Sequence, residues 1–241
     1  MHSIPIIVSL VVTLGGSAPT PPDEPAFIHA QTQAYRQHEI RGFTVLVSPA
    51  AVKHAQTTDP ALELLEEKLA RVVAVTPAHT HEALRKIRFW IEHENPGFPC
   101  ACYHPSGQWL TGNGYNADKA DGIEIANPAN FVAWASDQPE MVLHELAHAY
   151  HDTVLGYDHP LIIETYQSAV ESGSYDQVEH INGARRKAYA LNDPQEYFAE
   201  LTEAYFGTND FAPFTRDELR AFDPDGFAMI EELWLRPVVE E

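Results

Sequence analysis

Two histidines four residues apart, with a glutamate just after the first, constrain this chain more than any other feature: His144-Glu145-Leu146-Ala147-His148. On an α-helix the two imidazoles stand one turn apart and lean to the same side, so they can grip one ion. Glu145 adjoins the first of them and sits too close along the helix to serve comfortably as a third ligand. Its place suits it instead to take a proton from a water that the ion activates. The flanks predict a helix, with Asp137 as its cap, Pro139 in the first turn and Gly156 as its stop. Met141, Val142, Leu143, Leu146, Ala147, Ala149 and Tyr150 make it apolar on several sides, as expected of a core helix.

A second helix is predicted downstream, capped by Asp193, opened by Pro194 and ended by Gly207. Glu196 and Glu200 lie one turn apart on one face of it. Carboxylates stacked that way repel each other unless a cation or a protonated partner shares them. Phe198, Leu201 and Tyr205 make the neighbouring face apolar, so the pair borders the core. Zinc held by two histidines and one glutamate, with a water in the fourth position, is the usual catalytic arrangement. Helix geometry alone does not choose between Glu196 and Glu200.

The run from His144 through Asp152, followed by Glu196-Tyr197-Phe198-Ala199-Glu200, resembles the gluzincin metallopeptidases. The nearer likeness is to the family of the anthrax lethal factor catalytic domain and to small exported zincin-like proteins. There a tyrosine stands seven residues before the glutamate helix motif, as Tyr189 stands before Glu196 here. The resemblance spans about residues 144–206. It implies His144, His148 and Glu196 as ligands of one zinc ion and Glu145 as general base. It implies Glu200 as the carboxylate behind a ligand imidazole and Tyr189 as an oxyanion donor. Asp152 matches the family's aspartate four residues after the second histidine, a supporting position.

The 241 residues allow one domain with a sizeable core. A formal charge of −20 argues against nucleic acid and anionic membranes as partners. Residues 4–14 are an apolar run of signal-peptide length, followed by small residues and a Pro-rich stretch. The expected organisation is a signal peptide over 1–18, a linker over 19–26 and a single domain over 27–241. The mature form would be exported, without membrane insertion. Cys100 and Cys102 are the only cysteines, with His104 close behind. They read as partly buried thiols or a strained loop disulfide, since no fourth metal ligand is evident.

Strands are predicted over 41–47, 88–93, 123–126 and 131–134, and helices over 59–75 and 160–172, the latter capped by Asp158. Thr215 and Glu218 form a capping box that opens a further helix, and residues 226–234 follow at the end of the sequence. The tripeptide Arg185-Arg186-Lys187 reads as an answer to surrounding acidity. The expected fold is α+β and zincin-like. A mixed sheet with helices reaches to about 136, a largely helical half follows, and the active-site helix lies between them. A strand feeding that helix would offer its edge to an extended peptide. The expected function is zinc-dependent hydrolysis of a peptide or protein substrate. The rival is an exported zinc-binding protein without turnover, against which Glu145 speaks, because structural zinc is normally closed by a fourth protein ligand.

Overall fold

The structure, a computed structural model, describes residues 29–237. The expected signal peptide, 1–18, and linker, 19–26, lie outside the described residues. The strand predicted over 41–47 is the second arm of a hairpin, β1 (Arg36–Ile40) and β2 (Phe43–Val47), with Ile40 opposite Phe43. Both turn residues take positive φ, 54° at Arg41 and 87° at Gly42, the combination that suits the twist of a two-residue hairpin. Three further strands complete the sheet: β3 (Arg88–Ile91), β4 (Ala101–His104) and β5 (Gly122–Ile125). Their order is β1-β2-β3-β5-β4. The inner pairs β2–β3 and β3–β5 are parallel and the outer pairs antiparallel, so the sheet is mixed.

The helix Ala55–Val75 carries the chain from β2 to β3 and starts four residues ahead of the expected Asp59. Ala61, Leu65, Leu69 and Val72 form its buried stripe. Strand alternation sends Val45, Phe89, Ile91, Ala101, Tyr103, Ile123 and Ile125 to the same face, into the main core. That core continues into the helices Met141–Tyr150, Pro160–Ser172, Pro194–Phe206 and Pro224–Leu235. The architecture is therefore α+β, a mixed sheet followed by a mainly helical half. A two-stranded ribbon, β6 (Val178–Glu179) with β7 (Arg185–Arg186), interrupts the helices. Among the described residues no helix is long and apolar enough to cross a membrane.

The opposite face of the sheet holds a buried polar network. The Nζ of Lys119 is wholly buried and donates to Glu92 at 2.7 Å and Glu124 at 2.9 Å. His104 Nε2 lies 2.8 Å from Glu124, whose other oxygen accepts from Asn95 at 2.6 Å. Tyr35 donates its hydroxyl to Glu92. Burial alone would raise Glu124, but Lys119, His104 and Asn95 hold it at about 2. Charged groups survive in a core only when paired this fully. Tyr35→Phe leaves the ring against Trp90, 5.0 Å away, and removes only a hydrogen bond to a charged acceptor. It is expected to lower stability by about 1.5–3 kcal/mol in urea titration. A loss too small to measure would mean that Lys119 alone satisfies Glu92.

Several expectations change. Residues 131–134 are not a strand: Asn127 caps a helix, Pro128–Ala133, by accepting from the Asn130 amide. Asn-Pro is a helix opening here rather than a turn between strands. Both cysteines are free and buried, Cys102 inside β4 and Cys100 just ahead of it, with the Cys100 sulfur 3.3 Å from that of Met141. Asp137 does not cap the helix Met141–Tyr150; Glu140 occupies the cap without a side-chain bond. His159, not Asp158, precedes Pro160–Ser172. Of the two strands packed on the histidine helix, β4 lies at a sheet edge, whereas β5 is flanked by β3 and β4.

Candidate metal centre

Two helices build the site. The histidine helix, Met141–Tyr150, packs closely against the glutamate helix, Pro194–Phe206, and against β4 and β5. Every residue of the histidine helix is buried, which its nearly continuous apolar sequence allows. The glutamate helix begins as its sequence dictates: Asp193 accepts from the Glu196 amide at 2.9 Å, and Pro194 opens the first turn.

This packing brings His144, His148 and Glu196 together, all buried. The two Nε2 atoms lie 3.0 Å apart, and Glu196 Oε2 lies 3.1 Å from the first and 3.3 Å from the second. A tetrahedral zinc ion with bonds of about 2.0–2.2 Å sets its donor atoms roughly 3.3 Å apart. The triangle therefore fits zinc in both size and donor type. Glu196 Oε1 is buried without a partner, a further atom free to serve an ion. Burial would raise Glu196, but His148 and His144 hold it at about 2, so it is a carboxylate. Burial would likewise lower His144, yet hydrogen bonds and charges from Glu196 and Glu203 carry it well above its ordinary value.

Glu145 is fully buried, and neither carboxylate oxygen has a hydrogen-bond partner. The Tyr103 amide of β4 is directed at it and favours the charged form, without completing hydrogen-bond geometry. Desolvation raises its pKa, against the pull of His144 and His148. A buried acid left without partners beside a metal triangle is a group with capacity for a proton.

The carboxylate behind His144 is Glu203, which accepts from Nδ1 at 2.6 Å. The family resemblance implies Glu200 in that place, and the structure puts Glu203 there instead. Glu200 stays within 4.8 Å of His144 and Glu203 but accepts instead from Asn209 at 3.2 Å. Burial and the charge of Asp210 push Glu200 well up, and burial lifts Glu203 to about 7. Helical spacing could have found Glu203: it lies seven residues after Glu196 and three after Glu200, on the same face. Asp152 accepts from the Tyr103 hydroxyl at 2.8 Å, tying the end of the histidine helix to β4. Tyr189 is half-buried, its ring 6.4 Å from that of His144.

His151 is wholly buried with both ring nitrogens unpartnered, and burial first, then His148 and His159, lower it to about 3. Its folded value lies below its unfolded value of 6.5, so its stabilising share is intact above pH 6.5. That share is lost as pH falls toward 3, by up to about 1.4 kcal/mol per pH unit. In metal-free protein, His151→Phe is expected to flatten the fall of stability between pH 6.5 and 4.5, read by urea titration. Parallel curves for wild type and variant would show that His151 finds a proton acceptor in the fold.

Compared with protein-family models, with curated proteins and with solved structures, the chain matches none.

Proposed function

We propose that this protein is a zinc-dependent peptidase, exported and zincin-like in its active half. One observation carries the reading: a buried His144–His148–Glu196 triangle of zinc dimensions, with the unpartnered carboxylate of Glu145 beside it. Zinc bound there supplies Lewis acidity, which sharpens a water as nucleophile and polarises a carbonyl. Glu145 takes the proton of the attacking water and passes it to the leaving amine. Glu203 holds the His144 ring in the tautomer that turns Nε2 toward the triangle. Tyr189, beside His144, steadies charge developing on the carbonyl oxygen. β4 is an edge strand packed on the histidine helix, and an extended peptide would pair along it.

The test is direct. Protein purified without added zinc is analysed for metal and then offered a peptide library, with products read by mass spectrometry. Near-stoichiometric zinc and defined cleavages are expected, both lost on chelation. Zinc without any cleavage would leave the binding protein as the reading, and protein indifferent to zinc would end both.

A further inference from the structure

Arg185, Arg186 and Lys187 are a concentrated basic run in a chain of formal charge −20, yet they do not answer the surrounding acidity by pairing with it. Among the described residues no carboxylate forms an ion pair with any of the three. Glu179 stands opposite Arg185 across the β6–β7 ribbon, and even these two stay unpaired. Arg185 donates instead to the Gln177 carbonyl at 2.5 Å, and Lys187 to the Leu191 carbonyl at 3.3 Å. Arg186 lays its guanidinium over the Phe211 ring, 4.9 Å from the centroid, and its Nε is buried without a partner. Neutral acceptors and a ring face thus hold the cations in place and leave their charges uncompensated.

The ribbon that carries them is braced on both sides. At its turn the His180 amide donates to the Ala184 carbonyl at 2.8 Å, with Gly183 at φ 83°. Along its flank the Ile181 amide donates to the Asp210 carbonyl at 2.7 Å, and the Ala212 amide to the Glu179 carbonyl at 2.8 Å. The ribbon also leads straight to the metal centre. Tyr189, three residues after Arg186, opens a short turn, Tyr189–Leu191, that packs on the glutamate helix, and its ring lies 6.4 Å from that of His144. Three residues of chain span at most about 11 Å. An extended peptide rises about 3.3 Å per residue, so cations at that remove meet groups roughly two to four residues from the bond cleaved. In physiological salt the Debye length is about 8 Å, which screens the distant acids that make up the net charge.

Resting on the peptidase reading, we propose that the ribbon is a specificity element: Arg185, Arg186 and Lys187 receive a carboxylate of the substrate a few residues from the scissile bond. That carboxylate belongs to an aspartate or glutamate side chain, or to the peptide's own C-terminus. All three cations respond to its charge, and the planar forks of the arginines match its shape. Arg186 is the anchor. Its stack on Phe211 fixes the plane of the guanidinium, and a half-buried charge gains more from a partner than an exposed one does.

Peptides cut by the zinc-loaded wild type are remade with a single glutamate or glutamine at each position near the cleaved bond, with free or amidated C-termini. Glutamate at one or two positions, or the free C-terminus, is expected to raise kcat/KM about tenfold over its neutral counterpart, a gain that shrinks as salt rises. A gain from an internal glutamate assigns the ribbon to acidic side chains, and a gain from the free end alone assigns it to the chain terminus. Arg186→Gln should abolish the preference while zinc content holds and neutral peptides are cleaved within about twofold of wild type. Arg186→Lys should keep part of it, as a point charge without the fork. Arg185→Gln changes an exposed side chain, which leaves the fold intact, and should lower the preference as well. Charged and neutral peptides cleaved alike by an active wild type would overturn the proposal. So would a preference that survives in the double variant Arg185→Gln, Arg186→Gln. A wild type that cleaves no peptide brings down the peptidase reading, and this one with it.

Discussion

Glu145→Gln is expected to hold near-stoichiometric zinc while losing at least about 10²-fold in turnover, the scale of a missing general base. The substitution keeps size and shape in a site with no room to adjust, since Glu145 is fully buried. It leaves the three donor atoms of His144, His148 and Glu196 untouched. What it removes is the ability to accept a proton and later return it. Neither oxygen of Glu145 completes a hydrogen bond, so the amide breaks none when it replaces the acid. Burial already pushes this carboxyl up, which makes the neutral amide easier to accommodate than the acid it replaces. Metal analysis and kcat on one preparation decide the matter. Zinc that disappears together with activity would make Glu145 part of the metal's support, and unchanged turnover would remove it from the chemistry.

The centre was legible because its local rules are strong. His144 and His148 share a helix face by spacing alone, and Asp193, Pro194 and Gly207 punctuate the glutamate helix as predicted. Thr215 and Glu218 form their capping box for the same reason. Failures fall where tertiary contacts decide. β1 reads as polar because it is an edge strand, half exposed along its length. β4 hides behind Pro and Cys, and only its pairing with β5 makes it a strand. Lys119 and Glu124 look like surface charges in sequence, yet they bury each other. Glu203 escaped because the family pattern supplies its supporting carboxylate one turn after the ligand. The histidine and glutamate helices cross here so that the second turn, not the first, meets His144 Nδ1.

That crossing changes the ranking of the acids for metal affinity, which a chelator competition titration can measure. Glu196→Ala is expected to give protein essentially free of zinc at submicromolar metal. It removes a charge and a coordination bond together from a group held ionised, at about 2, by His148 and His144. Glu203→Ala is expected to weaken zinc by about 10–100-fold without abolishing the site. The His144 Nδ1 proton then has no acceptor at 2.6 Å, so the ring loses its fixed tautomer and part of its basicity. Glu200→Ala should do least. Burial and Asp210 push its pKa well up, so its removal deletes a neutral acid rather than a charge, and its partner is Asn209 rather than a ligand. The order expected is Glu196, then Glu203, then Glu200, with excess zinc restoring the second to near wild-type occupancy. If Glu200→Ala proves more damaging than Glu203→Ala, the metal-loaded helices must turn Glu200 toward His144. The acceptor would then stand one turn after the ligand, as the family resemblance implies.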